Sequence, residues 1–208
     1  MAKSRESGMP DESYWGTFFN PECIVGKLDC TGSIDVVEFG CGYGHFTIPA
    51  AKLVGGKVYA LDIDPQMVEV TRRRAEKAGL DNLVVEERDV LADGCGRPDG
   101  SVGYVMLFNI LHVEDPVALL REAYRALAPG GLLGVIHWKH DPATPRGPSM
   151  SIRPQLEECR RWAEEAGFAF RRGEDLCCCS WHWGMVLERP ITVPFDWPAH
   201  PEGSSRSR

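Results

Sequence analysis

The run Val36-Val37-Glu38-Phe39-Gly40-Cys41-Gly42-Tyr43-Gly44 decides how this chain folds. An apolar strand, Ile34 to Phe39, leads directly into three glycines at alternate positions. Glycine reaches positive φ cheaply and lets the backbone approach a ligand with no Cβ in the way. A second apolar strand, Lys57 to Asp62, ends on a carboxylate about 20 residues beyond Gly40, one βαβ step away. A carboxylate at that strand end can accept hydrogen bonds from two ribose hydroxyls. Loop and carboxylate together describe a pocket for a nucleoside-bearing cofactor.

The spacing narrows the choice of cofactor. A dinucleotide site uses G-x-G-x-x-G, whose third glycine allows close packing of helix on strand. Here the third glycine comes one place early, at Gly44, and His45 takes the dinucleotide position, so a dehydrogenase is a distant third reading. No G-x-x-x-x-G-K-[ST] phosphate loop occurs, and no arginine follows Asp62 to receive a 2′-phosphate. The loop suits a nucleoside without phosphates. The bland alternative is a tight strand-to-helix turn with no ligand.

Working outward, helical and strand patterns alternate. A helix is expected from about His45 to Val54, stopped by Gly55-Gly56. Asp64-Pro65 and Asp115-Pro116 are helix starts, with aspartate as N-cap and proline at the first helical position. The first of these helices runs to Ala78. The second carries Val117, Leu120, Ala123, Tyr124 and Leu127 on its buried stripe and is stopped by Pro129-Gly130-Gly131. Further strands are expected at Leu83–Glu87, Val102–Phe108 and Leu132–Ile136. A last helix is read over Pro154–Ala166, and two closing strands over Phe168–Arg171 and Cys177–Leu187. The implied fold is α/β: a doubly wound, mostly parallel, seven-stranded Rossmann-like sheet with a C-terminal antiparallel strand. Glu38, Asp62, Asp89 and Phe108-Asn109 fall at the carboxyl ends of strands, where open α/β sheets bind ligands.

Upstream, Tyr14 to Leu28 reads as one or two short helices, the second starting at Pro21, which cap the pocket or cover a sheet edge. His140 to Ser151, with Pro142, Pro145, Gly147 and Pro148, reads as a mobile loop over the site. Domain limits are set at 13–190, with a loose tail over 1–12 and a disordered Pro- and Ser-rich tail over 191–208.

Composition removes several function classes. A formal net charge of −7 argues against a nucleic-acid surface, which needs clustered Lys and Arg. Arg72-Arg73-Arg74 reads as a solvated helix face. No apolar run is long enough to span a membrane, and the N-terminus lacks a signal-peptide core, so a cytoplasmic protein is expected. Eight cysteines in 208 residues are read as mostly free, buried thiols. With no C-x-x-C pair, no metal site is expected. Cys177-Cys178-Cys179 poses a choice between core packing and a thiolate site for a soft metalloid. Strand alternation puts Cys177, Cys179, Trp181 and Trp183 on one buried face, which favours packing.

The pattern E-x-G-x-G-x-G with an acidic second-strand end closely resembles the class I S-adenosylmethionine-dependent methyltransferases. Leu61-Asp62-Ile63-Asp64-Pro65, Asp89, Phe108-Asn109-Ile110-Leu111-His112 and Leu127-Ala128-Pro129-Gly130-Gly131 extend the likeness, most closely to the small-molecule "type 11" and ubiquinone/menaquinone-biosynthesis group. The resemblance implies S-adenosyl-L-methionine as cofactor and a small-molecule acceptor, with no nucleic-acid or membrane partner; the oligomeric state is not legible. It implies that Gly40, Cys41, Gly42 and Gly44 line the methionine end, that Asp62 holds the ribose, and that Asp89 and Val90 flank the adenine. Glu38, Ile63, Met67, Phe108 and Asn109 complete the implied cofactor site. Asp89 has a second reading as a helix or turn cap. His112 is either a base for the acceptor or a loop histidine bonded locally. Tyr14, Trp15, His137 and Trp138 are candidate walls of the acceptor pocket. Two rivals stay open: a thiol or metalloid methyltransferase, and a non-catalytic protein that binds the cofactor.

Overall fold

The computed structural model describes residues 10–191. In chain order the elements are α1 (Glu12–Gly16), α2 (Pro21–Lys27), β1 (Val36–Phe39), α3 (Thr47–Leu53), β2 (Val58–Asp62), α4 (Pro65–Lys77) and β3 (Leu83–Glu87). Then follow α5 (Val90–Asp93), β4 (Val102–Phe108), α6 (Pro116–Ala126), β5 (Leu127–Trp138), α7 (Leu156–Glu165), β6 (Ala169–Glu174) and β7 (His182–Glu188). The strands form one seven-stranded sheet in the order β3-β2-β1-β4-β5-β7-β6. β1 to β5 pair in parallel, and β7 lies antiparallel to both β5 and β6. The order reverses between β1 and β4, which opens a crevice at their carboxyl ends.

Three helices start as their sequences dictate. Asp64 accepts from Gln66 N at 2.8 Å, Asp115 from Ala118 N at 2.8 Å, and Asn20 from Cys23 N at 3.1 Å, each ahead of a proline at the first turn. Helix α5 was not expected; Asp89 caps it, accepting from Leu91 N at 3.1 Å and Ala92 N at 3.2 Å.

Alternation along the strands builds two cores. Val37, Phe39, Val105 and Leu107 face α6 and α7, meeting Leu120 and Ala163. Val36, Tyr104, Met106 and Phe108 face α2 and α3, meeting Ile24, Ala50 and Leu28. The Tyr104 hydroxyl donates to Leu28 O at 2.6 Å, so this buried ring keeps its polar end paired.

Several boundaries differ from those read in the sequence. β5 is longer at both ends, because Leu127 pairs with Val102 ahead of Pro129-Gly130-Gly131 and Trp138 pairs with His182. Cys177–Trp181 form a turn rather than strand, so strand alternation does not apply there: Cys177 is exposed while Cys179 is buried. The expectation of free thiols fails for one pair. Cys23 of α2 and Cys178 of that turn form a disulfide across 155 residues of sequence. Neither residue's neighbours in sequence signal the pairing; the fold alone brings them together. At the N-terminus, Pro10 to Glu12 are not loose, since Asp11 caps α1 and Glu12 begins it. The remainder of the two expected tails, residues 1–9 and 192–208, lies outside the described residues. Among the described residues no helix is long and apolar enough to cross a membrane.

Candidate active site

The glycine turn after β1 is closed by backbone bonds and braced by side chains, with the Thr71 hydroxyl donating to Gly42 O at 2.8 Å. Gly40 N and Cys41 N both donate to Leu61 O, at 2.8 and 2.9 Å, and Gly44 N donates to Cys41 O at 2.9 Å. Gly40, Gly42 and Gly44 have φ of 76°, 52° and 75°, a region that side chains with a Cβ avoid. At Gly44 a Cβ would also lie 3.0 Å from the Thr71 side chain. Asp62 ties the turn to β2: Oδ2 accepts from Gly42 N at 2.8 Å and Oδ1 from Asp64 N at 2.9 Å. Each carboxylate oxygen retains further acceptor capacity.

Around this turn lies a cavity of about 580 Å³. Of the residues assigned to the cofactor from sequence, Gly40, Cys41, Gly42, Asp62, Ile63, Met67, Asp89, Val90, Phe108 and Asn109 line it, and so does His112. Asp89 therefore both caps α5 and faces the cavity. Glu38 and Gly44 do not line it. Glu38 is buried beneath the turn and accepts from the Thr47 hydroxyl. Burial pushes its carboxyl up to about 8, with the Thr47 bond opposing and the charge of Asp62 adding. Near neutral pH Glu38 is thus largely uncharged. Burial raises Asp62 as well, against the backbone N–H groups of Asp64, Gly42 and Ile63, which favour its ionised form. The Cys41 thiol is pushed well above its ordinary range by burial and is inert as a nucleophile.

The polar atoms around the cavity indicate what it takes. Asn109, at φ 58°, has both its amide oxygen and its amide nitrogen buried without a partner, and His45 Nδ1 is in the same state. Buried polar groups left unpaired cost about 1–3 kcal/mol each, so such atoms at a cavity wall mark ligand contacts. Asn109, Asp62 and the glycine turn present donors and acceptors without any cationic cluster. The residues present fit a nucleoside bearing an amino-acid chain.

The opposite wall comes from elements that sequence reading left open. Trp15 and Trp138 line the cavity as expected, with ring centroids 6.0 Å apart. Tyr14 and His137 do not: Tyr14 is exposed, and His137 is fully buried behind His112. Helix α1 is fastened over the turn by Tyr43 Oη donating to Pro10 O at 2.8 Å, by an Arg74–Glu12 ion pair, and by Gly16 abutting His45. Arg146, Gly147 and Pro148, from the loop read over the site, line the cavity, and so does His45, to which the sequence assigned no site role. Gly147 lies so close to Trp138 that a Cβ there would sit 2.9 Å from its ring.

The 140–151 loop, read from sequence as mobile, is built around one buried side chain. The Arg153 guanidinium donates to Pro148 O at 2.7 and 3.0 Å, to Lys139 O at 3.1 Å, and to Asp141 O and Arg146 O, both at 3.4 Å; it also bonds the Thr144 hydroxyl.

The sheet order and the turn define a class: Rossmann-like proteins that bind a nucleoside cofactor at the carboxyl ends of their strands. Residues 36–131 match the methyltransferase domain family. A crystal structure of a SAM-dependent methyltransferase from Aquifex aeolicus superposes with a TM-score of 0.75 at 25% identity, over 86% of this chain and 93% of that one. Residues 36–131 are a methyltransferase domain, the fold around them is that of a class I S-adenosylmethionine-dependent methyltransferase, and S-adenosylmethionine is the cofactor of such proteins. A ubiquinone biosynthesis O-methyltransferase from Xanthomonas oryzae pv. oryzae is 33% identical over 122 residues, 58% of this chain and 49% of that protein. A ribosomal protein L11 methyltransferase from Shigella sonnei is 38% identical over 110 residues, 52% of this chain and 35% of that protein. The chain thus spans half or less of the length of these two curated relatives.

Proposed function

We propose that this protein transfers the methyl group of S-adenosylmethionine to a small-molecule acceptor. The observation that carries the reading is the cavity itself. One space runs from the glycine turn and Asp62 to an aromatic wall of Trp15 and Trp138, roofed by α1 and by the Arg146–Pro148 segment. Its volume is that of a small-ligand site. The net charge of −7 supports a small acceptor over ribosomal RNA, and the roof supports one over a protein surface.

The bound cofactor would supply an activated methyl on a sulfonium sulfur. The chain's part is to hold, orient and dry the reactants. Asp62 accepts the ribose hydroxyls with the acceptor capacity its two backbone bonds leave over. Asp89 and Val90 bound the adenine end. Asn109 and the backbone of Gly40 to Gly42 meet the amino-acid end. Trp15 and Trp138 exclude water from the acceptor, and His112 takes the acceptor's proton where the nucleophile carries one.

The thiol-or-metalloid reading has less support. Cys23 and Cys178 are joined to each other, Cys177 is exposed, and Cys179 bonds His182 Nδ1 at 2.9 Å; none of these lines the cavity. Among the described residues no group of three His, Cys, Asp or Glu is arranged to hold a metal ion.

The test is calorimetry followed by turnover. S-adenosylmethionine and its demethylated product should both bind, with NAD far weaker. Incubation with methyl-labelled cofactor and a panel of phenols, quinols, amines and thiols should label at least one small acceptor. Binding without transfer to any small acceptor, together with labelling of a protein such as L11, would overturn the small-molecule reading.

A further inference from the structure

Neither cofactor binding nor methyl transfer uses the Cys177-Cys178-Cys179 run, yet the fold gives each of its sulfurs different surroundings. Cys177 is exposed, and Cys178 is joined to Cys23 of α2. Cys179 is buried, with its Sγ 2.8 Å from Phe18 O and 2.9 Å from His182 Nδ1. A thiol carries one hydrogen, so Cys179 donates to the Phe18 carbonyl and accepts from His182. Two of the three sulfurs thus fasten one stretch, Phe18 to Cys23, to one turn.

That stretch backs one wall of the cavity. The Phe18 and Phe19 rings lie against Trp138, with centroids 5.2 and 6.3 Å away. Phe19 and Trp138 both pack on His182, at 4.7 and 4.1 Å. Trp15 meets Phe18 and Phe19 at 6.4 and 4.9 Å, and it lines the cavity together with Trp138. Interiors are close-packed and transmit displacement, so a shift at Phe18–Phe19 reaches both tryptophans.

We propose that Cys23–Cys178 is a redox latch: a small dithiol opens it, frees the Phe18–Cys23 stretch and loosens the Trp15–Trp138 wall that meets the acceptor. This deepens the methyl-transfer reading and rests on it for what the wall admits. Three observations carry the latch. The bond is within reach of solvent, since Cys23 and Cys178 are half-buried, whereas Cys30, Cys41, Cys95, Cys159 and Cys179 are buried. The ion pairs that also tie this region to β6, Lys27–Glu174 at 3.1 Å and Asp29–Arg172 at 2.7 Å, stand partly in water, which weakens them. Neither cysteine of the pair lines the cavity, so opening the bond leaves the glycine turn and Asp62 untouched.

The step balances. One thiolate of the dithiol attacks a sulfur of the pair, which forms a mixed disulfide and releases the other cysteine. The second thiol of the dithiol then displaces the first cysteine. The dithiol leaves as a cyclic disulfide, two electrons pass to the protein sulfurs, and the two protons of the dithiol end on the Cys23 and Cys178 thiols. The reverse exchange, with a small disulfide as oxidant, closes the latch.

The experiment uses full-length protein carrying 5-fluorotryptophan, oxidised with oxidised glutathione or reduced with dithiothreitol, at a temperature well below the melts of both forms. Thiol alkylation and mass spectrometry report the state of the pair, and single Trp→Phe substitutions assign the ¹⁹F signals. On reduction the signals of Trp15 and Trp138 should shift or broaden, that of Trp162 on α7 should stay, and reoxidation should restore the first spectrum. Cys178→Ser should give the reduced spectrum under both conditions, and Cys177→Ser should follow the wild type; the reduced wild-type protein supplies the same comparison if Cys178→Ser does not fold. Affinity for S-adenosylhomocysteine should be equal in the two states, while KM for an acceptor labelled in the panel should rise at least about threefold on reduction. A pair that stays reduced after oxidation, Trp15 and Trp138 signals indifferent to its state, a change shared equally by Trp162, or an unchanged acceptor KM overturns the proposal. Failure of the methyl-transfer reading shows separately, as no S-adenosylmethionine binding and no labelled acceptor in either redox state.

Discussion

The two halves of this cavity are made by different means. The cofactor half is backbone: three glycines with positive φ, a turn closed on Leu61 O, and one carboxylate gathering two N–H groups. The half we assign to the acceptor is side chain: Trp15 against Trp138, His112 backed by His137, and Gly147 under Trp138. The first half is assembled from residues within one βαβ step. The second brings together Trp15 and Trp138, more than a hundred positions apart, with residues of the segments after β4 and β5. A wall made of main chain serves any side-chain sequence that can adopt its dihedrals, and so suits a ligand that does not vary. A wall of side chains can be retooled one residue at a time.

If this division is real, changes in one half should leave the other's readout unmoved. The largest expected effect is on stability, from the disulfide that lies outside the cavity. Reducing Cys23–Cys178, or making Cys178→Ser, frees a long loop in the unfolded chain; on the loop-entropy account this is worth about 5 kcal/mol. Thermal melts with and without reductant should differ strongly, while the cofactor Kd of the folded protein stays put. A parallel loss of cofactor affinity would break the division.

On the cofactor side, Gly42→Val forces a β-branched residue to a φ of 52° and fills space at the turn. Cofactor affinity should fall by about a hundredfold, or roughly 2.7 kcal/mol. Asp62→Ala should weaken binding at least about tenfold, because it removes both the ribose acceptor and the brace on Gly42. Wild-type affinity in calorimetry for either variant would mean that the turn is only a turn.

The next effect is a pH dependence. The folded-state pKa of Glu38, about 8, lies above its ordinary value of 4.5, so its contribution to stability is full below pH 4.5 and is lost as pH rises toward 8. The loss is at most about 1.4 kcal/mol per pH unit within that window. Glu38→Gln should flatten this slope in urea melts between pH 5 and 8; an unchanged slope would place the titration elsewhere. The smallest effect is expected at Cys177, which is exposed: Cys177→Ser should stay within about 0.5 kcal/mol of wild type.

The same contrast explains what was legible in the sequence. Helix starts at Asp64-Pro65 and Asp115-Pro116, the glycine turn, and the strand-end position of Asp62 are local rules, readable from a few adjacent residues. Glu38 was recognisable as part of the motif, yet its place under the turn depends on Thr47 of the following helix. Cys177 was misread because strand periodicity was extended through residues that form a turn. The Cys23–Cys178 pairing, the roof of α1 over His45 and the histidine pair have no local signature, since each joins strands or helices that only the sheet order brings together. Arg153, one of two arginines in the Pro-rich stretch beside Arg146, carries no local signature of burial.

Arg153 has a consequence for how acceptor choice can change over evolutionary time. Four of the five groups it grips are main-chain carbonyls, which every residue possesses. The path of the loop is thus specified almost independently of the identity of Arg146, Ser149 or Met150. A lineage can exchange those side chains, Arg146 of the cavity lining among them, while the scaffold that presents them stays intact. The loop is in that sense a socket with interchangeable fittings, fixed at Arg153, outside the main cavity, and at Gly147, where a Cβ would meet Trp138.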